Sequence, residues 1–254
     1  MERDAALKLL RGGAEAIAQI NSRSWAMPVL DGVDLRGVDL TGIDLVGRSL
    51  AKADLSGAIL RDANLYLAGL TGACLTEADL RHADLYHSML IHASLLRADL
   101  RGANLCPSRL FDTDFREAFF FDTWLGAIDL SEAQNLDTAR HVGSSYIDAK
   151  TLHYSGGEIP TAFLEGCRVP DSLIAYSTTL RAEGVEADND FYLCFVSYSH
   201  VDKAFAHRFH AELHARGIRC WLDEHELLPG DDIYKGVDRG IRLWDKVILR
   251  ASKN

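Results

Sequence analysis

Ser56–Leu85 reads SGAILRDANLYLAGLTGACLTEADLRHADL, and its leucines fall at every fifth position. The step holds without a break from Leu30 to Leu130, twenty-one positions that are all Leu except Phe115 and Phe120. Two residues before each stands a mostly small residue, Ala at eleven of the twenty-one places, as in Ala53, Ala58, Ala63, Ala68 and Ala73. On an α-helix five residues rotate by roughly 140°, which scatters the leucines around the axis. On a flat strand five is odd, and successive leucines point to opposite faces. The backbone must therefore turn once per repeat. The small residue and the Leu, two apart, then both point inward, and the coils stack into a solenoid around one narrow apolar core.

At the twenty intervening positions from Asp34 to Asp129 there are nine Asp and two Asn. The run Ser56–Leu85 resembles the pentapeptide-repeat family. That resemblance implies a right-handed quadrilateral parallel β-helix with four repeats, or twenty residues, per coil. Residues twenty apart then stack at about 4.8 Å. Asp44, Asn64, Asp84 and Asn104 form one column, in which amides separate carboxylates. Ser49, Gly69, Met89 and Arg109 form another, with no acid before Asp129. His82, His87 and His92 look like a metal cluster in one dimension, but the coil geometry disperses them onto successive sides, so no metal site is expected. Arg48 occupies an inward slot beside Leu50, where a buried guanidinium is costly, so a local bulge or an escape to solvent is expected. Aromatics crowd the last coil, with Phe119 and Trp124 in outward register, to be covered by following segments or to serve self-association.

The array defines the organisation around it. Asp4–Ile20 is rich in helix formers with Asp4 as N-cap, and residues 1–29 are expected to form a helical cap over the first coil. Residues 30–135 are the β-helix, and the register fails where Asn135 takes a Leu slot. Residues 136–190 form capping helices and a linker. There Gly156, Gly157 and Pro160 mark a turn, and IPTAFLEG and PDSLIAYSTTL read as two short helices, the second opened by Pro170.

Residues 191–254 change character. Phe191–Val196 (FYLCFV) reads as a buried parallel strand, Asp202–Arg216 as a helix, Ile218–Leu222 as a second strand, Ile233–Trp244 as a helix and Lys246–Ser252 as a third strand. Strands alternating with helices predict a doubly wound α/β sheet. FVSYSHVD, GIRCWLDEHELLPGD and IRLWDKVILRAS resemble the first half of a bacterial TIR (Toll/interleukin-1 receptor) domain, a flavodoxin-like fold. The resemblance implies that Ser197, Tyr198 and Ser199 lie beside a nucleotide pocket. It also implies that Asp223, Glu226, Leu227, Pro229, Gly230 and Asp231 belong to a loop that makes TIR–TIR contacts. NAD-cleaving members of that family carry a catalytic Glu on the helix after the third strand. No residue here matches it, since Glu224 and Glu226 lie in another loop, so a truncated unit without NAD hydrolase activity is expected.

Composition bounds the remaining classes. With 48% hydrophobic and 25% charged residues, no apolar run of membrane length and no leader pattern, a cytoplasmic address with no membrane partner is expected. Five cysteines without CxxC spacing suit reduced thiols. No Walker loop, HExxH or GxSxG occurs, so neither a catalytic residue nor a cofactor is assigned, NAD being a substrate only of a complete TIR domain. Three readings of function follow. The first is a signalling or defence-type interaction protein, in which a repeat scaffold carries a TIR module that self-associates or meets another TIR protein. The second is an NAD glycohydrolase and the third an acidic DNA mimic. Residues 30–135 hold sixteen acids and nine bases, a net of −7. Duplex DNA of the same length, about 24 Å, carries about fourteen charges, so the mimic is the weaker reading and no nucleic-acid partner is expected.

Overall fold

Each repeat has five backbone N–H groups, and the fold follows from where they go. The computed structural model describes residues 10–12, 30–183, 194–198, 220–222 and 246–250. In the repeat ending at Leu70, Leu70 donates to the Met89 carbonyl (2.8 Å) and Leu67 to that of Tyr86 (3.0 Å), both one coil on. Gly69 donates to the Arg48 carbonyl one coil back (2.9 Å), and Ala68 closes a turn onto Leu65 (2.9 Å). The fifth amide, that of Tyr66, goes to the Asn64 side chain, as described below. Nothing is left for solvent, and the coil can stack indefinitely.

The turn takes a positive φ at the second residue after the Leu in almost every repeat, as in a type II turn, Pro107 after Leu105 being an exception. Gly57 (65°), Gly72 (67°) and Gly102 (72°) meet it without cost, whereas Asp62 (54°), Leu67 (58°) and His82 (59°) hold it against the preference of an L-residue, about 1–2 kcal/mol each. All twenty-one ladder positions from Leu30 to Leu130 are buried, with the Ala residues between them. Where the small inward residue is Ser108, Thr113 or Thr123, its hydroxyl donates to the carbonyl of Leu85, Leu90 or Leu100, so a polar atom sits in the core without an unmet bond.

Parallel bridges pair residues twenty apart and define four sides. The first is centred on Asp34, Asp54, Cys74, Ser94 and Asp114, the second on Asp39, Ile59, Asp79, Asp99 and Phe119. The third runs through Asp44, Asn64, Asp84, Asn104 and Trp124, the fourth through Ser49, Gly69, Met89 and Arg109. Arg48 makes no bulge: its N–H reaches Leu45 (3.0 Å) and its carbonyl receives Gly69 (2.9 Å). The residue is half-buried.

Parallel pairing continues past Asn135. That residue takes a φ of 60°, Leu136 is buried in its place, and the coil gains one residue before β3 and a second before β4. β1 (Phe119–Phe120) therefore pairs with β3 (Arg140–His141) in the register Phe119↔Arg140, and β2 (Trp124–Leu125) with β4 (Tyr146–Ile147) as Trp124↔Tyr146. Three helices follow: α1 (Ala149–Tyr154), α2 (Thr161–Gly166) and α3 (Asp171–Glu183). The last two match the sequence expectation, while α1 was not foreseen. Asp148 N-caps α1 through Thr151 N–H and also accepts from Ala127 N–H at 3.1 Å. The hydroxyls of Thr151 and Ser155 accept from Ile128 and Leu130 N–H, at 3.2 and 2.9 Å. These are the amides a further coil would otherwise take. Phe163 of α2 packs edge-on to Phe120 (5.2 Å), and Leu173 and Leu180 of α3 join the same core. Gly157 is required between α1 and α3, because a Cβ there would stand 2.2 Å from the Ser177 carbonyl.

At the other end Leu10 is buried in the array's core and the Arg11 guanidinium donates to the Asp34 carbonyl (2.7 Å). The rest of the expected Asp4–Ile20 helix lies outside the described residues, as do the helices expected at Asp202–Arg216 and Ile233–Trp244. β5 (Cys194–Tyr198), β6 (Cys220–Leu222) and β7 (Lys246–Arg250) form a parallel sheet in the order β6-β5-β7. No helix among the described residues is long and apolar enough to cross a membrane.

Candidate interaction surfaces

The acids of the array are bonded to its backbone. Each Asp or Asn at the centre of a side accepts from the N–H two residues on: Asp34 from Arg36, Asp39 from Thr41, Asp44 from Val46, Asp54 from Ser56 and Asn64 from Tyr66. Asp79, Asp84, Asp99, Asn104, Asp114 and Asp129 do the same for Arg81, Tyr86, Arg101, Cys106, Arg116 and Ser131. This is the Asx turn, in which a short side chain stands in for a backbone acceptor. It uses every one of the eleven Asp and Asn residues counted in the sequence at these positions. The sequence reading treated them as surface charge. The signal that identifies their role is the fixed offset from a turn.

At Asp79 and Asp99 the second carboxylate oxygen is occupied as well. On the second side Arg81 bridges Asp79 and Asp99, Arg101 binds Asp99, and Arg61 binds Asp79. Burial pushes the Asp79 carboxyl up, but the hydrogen bonds from Arg81 and Arg61 outweigh it and hold the group at about 2. At the neighbouring corner Arg97 lies between Glu77 and Glu117, and its hydrogen bond holds Glu117 below the usual carboxylate range.

The three histidines stand at successive corners, all at positive φ. His92 Nδ1 contacts Asp112 (2.9 Å), His87 stacks edge-on with Tyr86 (4.7 Å), and His82 lies against Gly102. No group of three potential ligands gathers among the described residues.

Phe119 is half-covered, with the Arg140 guanidinium 5.5 Å over its ring. Trp124 stacks on Tyr146 (4.4 Å), so following segments do cover these rings in part. Beneath α2 the His141 ring lies between Phe120 and Phe163, at 5.6 and 5.0 Å, and its Nδ1 is 3.8 Å from Cys167 Sγ. Burial pushes the thiol up to about 12 and the imidazole below its ordinary value. Both are neutral packing groups, and the pair lacks the thiolate that nucleophilic chemistry needs.

In the C-terminal sheet β5 lies between β6 and β7, so the chain passes from one side of β5 to the other. Open α/β sheets form ligand crevices at such a switch point, outside the carboxyl ends of the strands. Ser197 and Tyr198 are the last two residues of β5 and stand at that edge, paired with Leu249 and Arg250. Ser199, Asp223, Glu226, Leu227, Pro229, Gly230 and Asp231 lie outside the described residues.

The family model for pentapeptide repeats, which describes eight copies of the repeat, matches residues 29–65 and again 68–106. With the twenty-residue coil in place, this decides the family. The chain is a pentapeptide-repeat protein. Residues 194–254 of this pentapeptide-repeat protein match the TIR domain model. Among solved structures it is similar to a pentapeptide repeat protein from the Arabidopsis thaliana thylakoid lumen (34% identity, 38% of this chain and 70% of that one, TM-score 0.30). It is also similar to HetL, a pentapeptide repeat protein involved in heterocyst differentiation regulation from Nostoc sp. strain PCC 7120 (28% identity, 46% and 64%, TM-score 0.26). A third is Rfr23 from Cyanothece 51142 (32% identity, 41% and 63%, TM-score 0.20). The chain thus spans about two thirds of each relative's length. At these TM-scores the family assignment rests on the repeat and its coil. A search of curated proteins returns no match.

Proposed function

We propose that this pentapeptide-repeat protein is a cytoplasmic signalling or defence-type interaction protein, in which the β-helix, closed by its flanking helices, is a rigid scaffold and the TIR segment self-associates. The observation that carries this reading is the presence on one chain of an unbroken stacked core and a TIR match over residues 194–254. Within it, Asp223, Glu226, Leu227, Pro229, Gly230 and Asp231 supply the TIR contacts, and Ser197, Tyr198 and Ser199 border a nucleotide pocket. The use of the array's acids in Asx turns and Arg pairs supports a scaffold over a DNA mimic, whose carboxylates must be free to meet a cationic groove. Light scattering of the full chain at rising concentration tests the proposal. Assembly beyond a dimer is expected, lost in Glu226→Lys and Pro229→Glu. Assembly unchanged in both variants, or none in the parent chain, would overturn it.

A further inference from the structure

We propose that α2 is an acid-released lid over the far end of the β-helix, opened when the His141 imidazole takes up a proton. α1 and α2 are held to that end in different ways. α1 is bonded to the last coil through Asp148, Thr151 and Ser155, which accept from the N–H groups of Ala127, Ile128 and Leu130. Between residues 161–169 and the array one backbone hydrogen bond is made among the described residues, from Ser145 N–H to the Cys167 carbonyl at 3.1 Å. What holds α2 is its packing, and that packing is built around the His141 ring.

The ring stacks on Phe120 at 5.6 Å and meets Phe163 edge-on at 5.0 Å. The end of α2 closes over its edge: a Cβ added to Gly166 would stand 2.2 Å from Cδ2 and 2.6 Å from Nε2, so the helix backbone lies against that side of the ring. Nδ1 faces Cys167 Sγ at 3.8 Å, and Nε2 is buried with no hydrogen-bond partner. A neutral imidazole tolerates this site. An imidazolium has two N–H donors and a charge, and here it meets a weak sulfur acceptor on one side and no acceptor on the other. The groups packed around it supply no counter-charge. The one titratable side chain against the ring is the Cys167 thiol, which burial keeps neutral. Arg140 of β3 is paired with Glu117, while Asp137, Glu165 and Arg168 are exposed and make no ion pair with the ring. Burial lowers the imidazole's pKa, so the closed lid binds the proton less readily than the open one. The closed form is favoured above the ordinary histidine value and loses ground as pH falls from there through the closed-state value. Moving α2 outward gives Nε2 access to water and uncovers Phe120 and Phe163, the apolar end of the solenoid core.

Cys167 reports the lid, because its thiol is buried and lies on the segment that moves. The test is labelling of the full chain with a neutral pyridyl disulfide at about pH 7.5 and about pH 5, on either side of the ordinary histidine value, read at each cysteine by peptide mass spectrometry. Cys106, held within the array by Gly126 N–H, is the internal reference. The ratio of Cys167 to Cys106 labelling should rise at least about tenfold at the lower pH, with the circular dichroism of the chain unchanged. His141→Phe keeps a ring between Phe120 and Phe163 and has nothing to protonate, so its ratio should stay flat. Hydrogen exchange of the parent chain gives a second measurement that needs no variant. Corrected for the intrinsic effect of pH, it should rise over residues 161–169 and not over 149–155. A flat ratio in the parent chain, an equal rise in a folded His141→Phe chain, which would assign the effect to another group such as His153 of α1, or exchange that rises equally in both segments would overturn the proposal.

Discussion

Asn104 Nδ2 donates to Asp84 Oδ1 one coil below, at 3.2 Å, while its own Oδ1 accepts from the amide of Cys106 at 3.1 Å. One amide thus caps its own turn and separates the acids of its column. Asn104→Asp keeps the turn and loses the donor, leaving two carboxylates stacked about 4.8 Å apart. It should cost about 0.5–1 kcal/mol in urea unfolding at low ionic strength, and added salt should recover most of it. Asp84→Asn should be neutral under the same conditions. Equal effects in the two variants would show that the column's alternation carries no energy.

The leucine ladder is the source of stability. Leu85 is fully buried, whereas His87, two residues on, is an exposed corner residue. Leu85→Asp places a carboxylate without a partner in the core, at a cost of several kcal/mol, and should abolish the cooperative thermal transition. His87→Ala should shift the midpoint by no more than a few degrees, since it removes a surface ring contact with Tyr86.

The coil was legible because one rule is repeated: an inward Leu, an inward small residue and an odd spacing leave the backbone a single solution. The strands β5, β6 and β7 were legible as three apolar runs separated by helical patterns, whereas their order does not follow from the runs. What sequence reading missed is short and made of contacts across the chain. α1 has only six residues and owes its position to Asp148, Thr151 and Ser155, whose acceptors meet amides more than twenty residues away. Leu136 replaces Asn135 in the core because a positive φ at Asn135 absorbs the extra residue, a choice invisible in a strict five-residue count.

Acid should loosen the far end of the array before its middle. Burial lowers the His141 pKa, and its Nε2 has no hydrogen-bond partner. The unfolded chain therefore binds the proton more readily than the folded one. The packing of His141 between Phe120 and Phe163 keeps its full stability above the ordinary imidazole value of about 6.5 and loses it as pH falls from there through the folded value. Thermal melts of the parent chain should show a downward step below that pH, absent in His141→Phe. A step of the same size in both chains would assign it to another group.

The central claim is that the array's Asp and Asn residues belong to the backbone and complete each coil. Hydrogen exchange resolved to single amides tests it most directly. The amides of Tyr66, Arg81, Tyr86, Arg101 and Cys106, each two residues after an Asp or Asn acceptor, should be protected to nearly the level of the ladder amides of Leu65 and Leu85. Those of Arg61, Thr71 and Ile91, which follow Ile59, Gly69 and Met89 at the same offset, should exchange at least about tenfold faster. Equal exchange in the two sets would contradict the account and return the carboxylates to the surface as free charge.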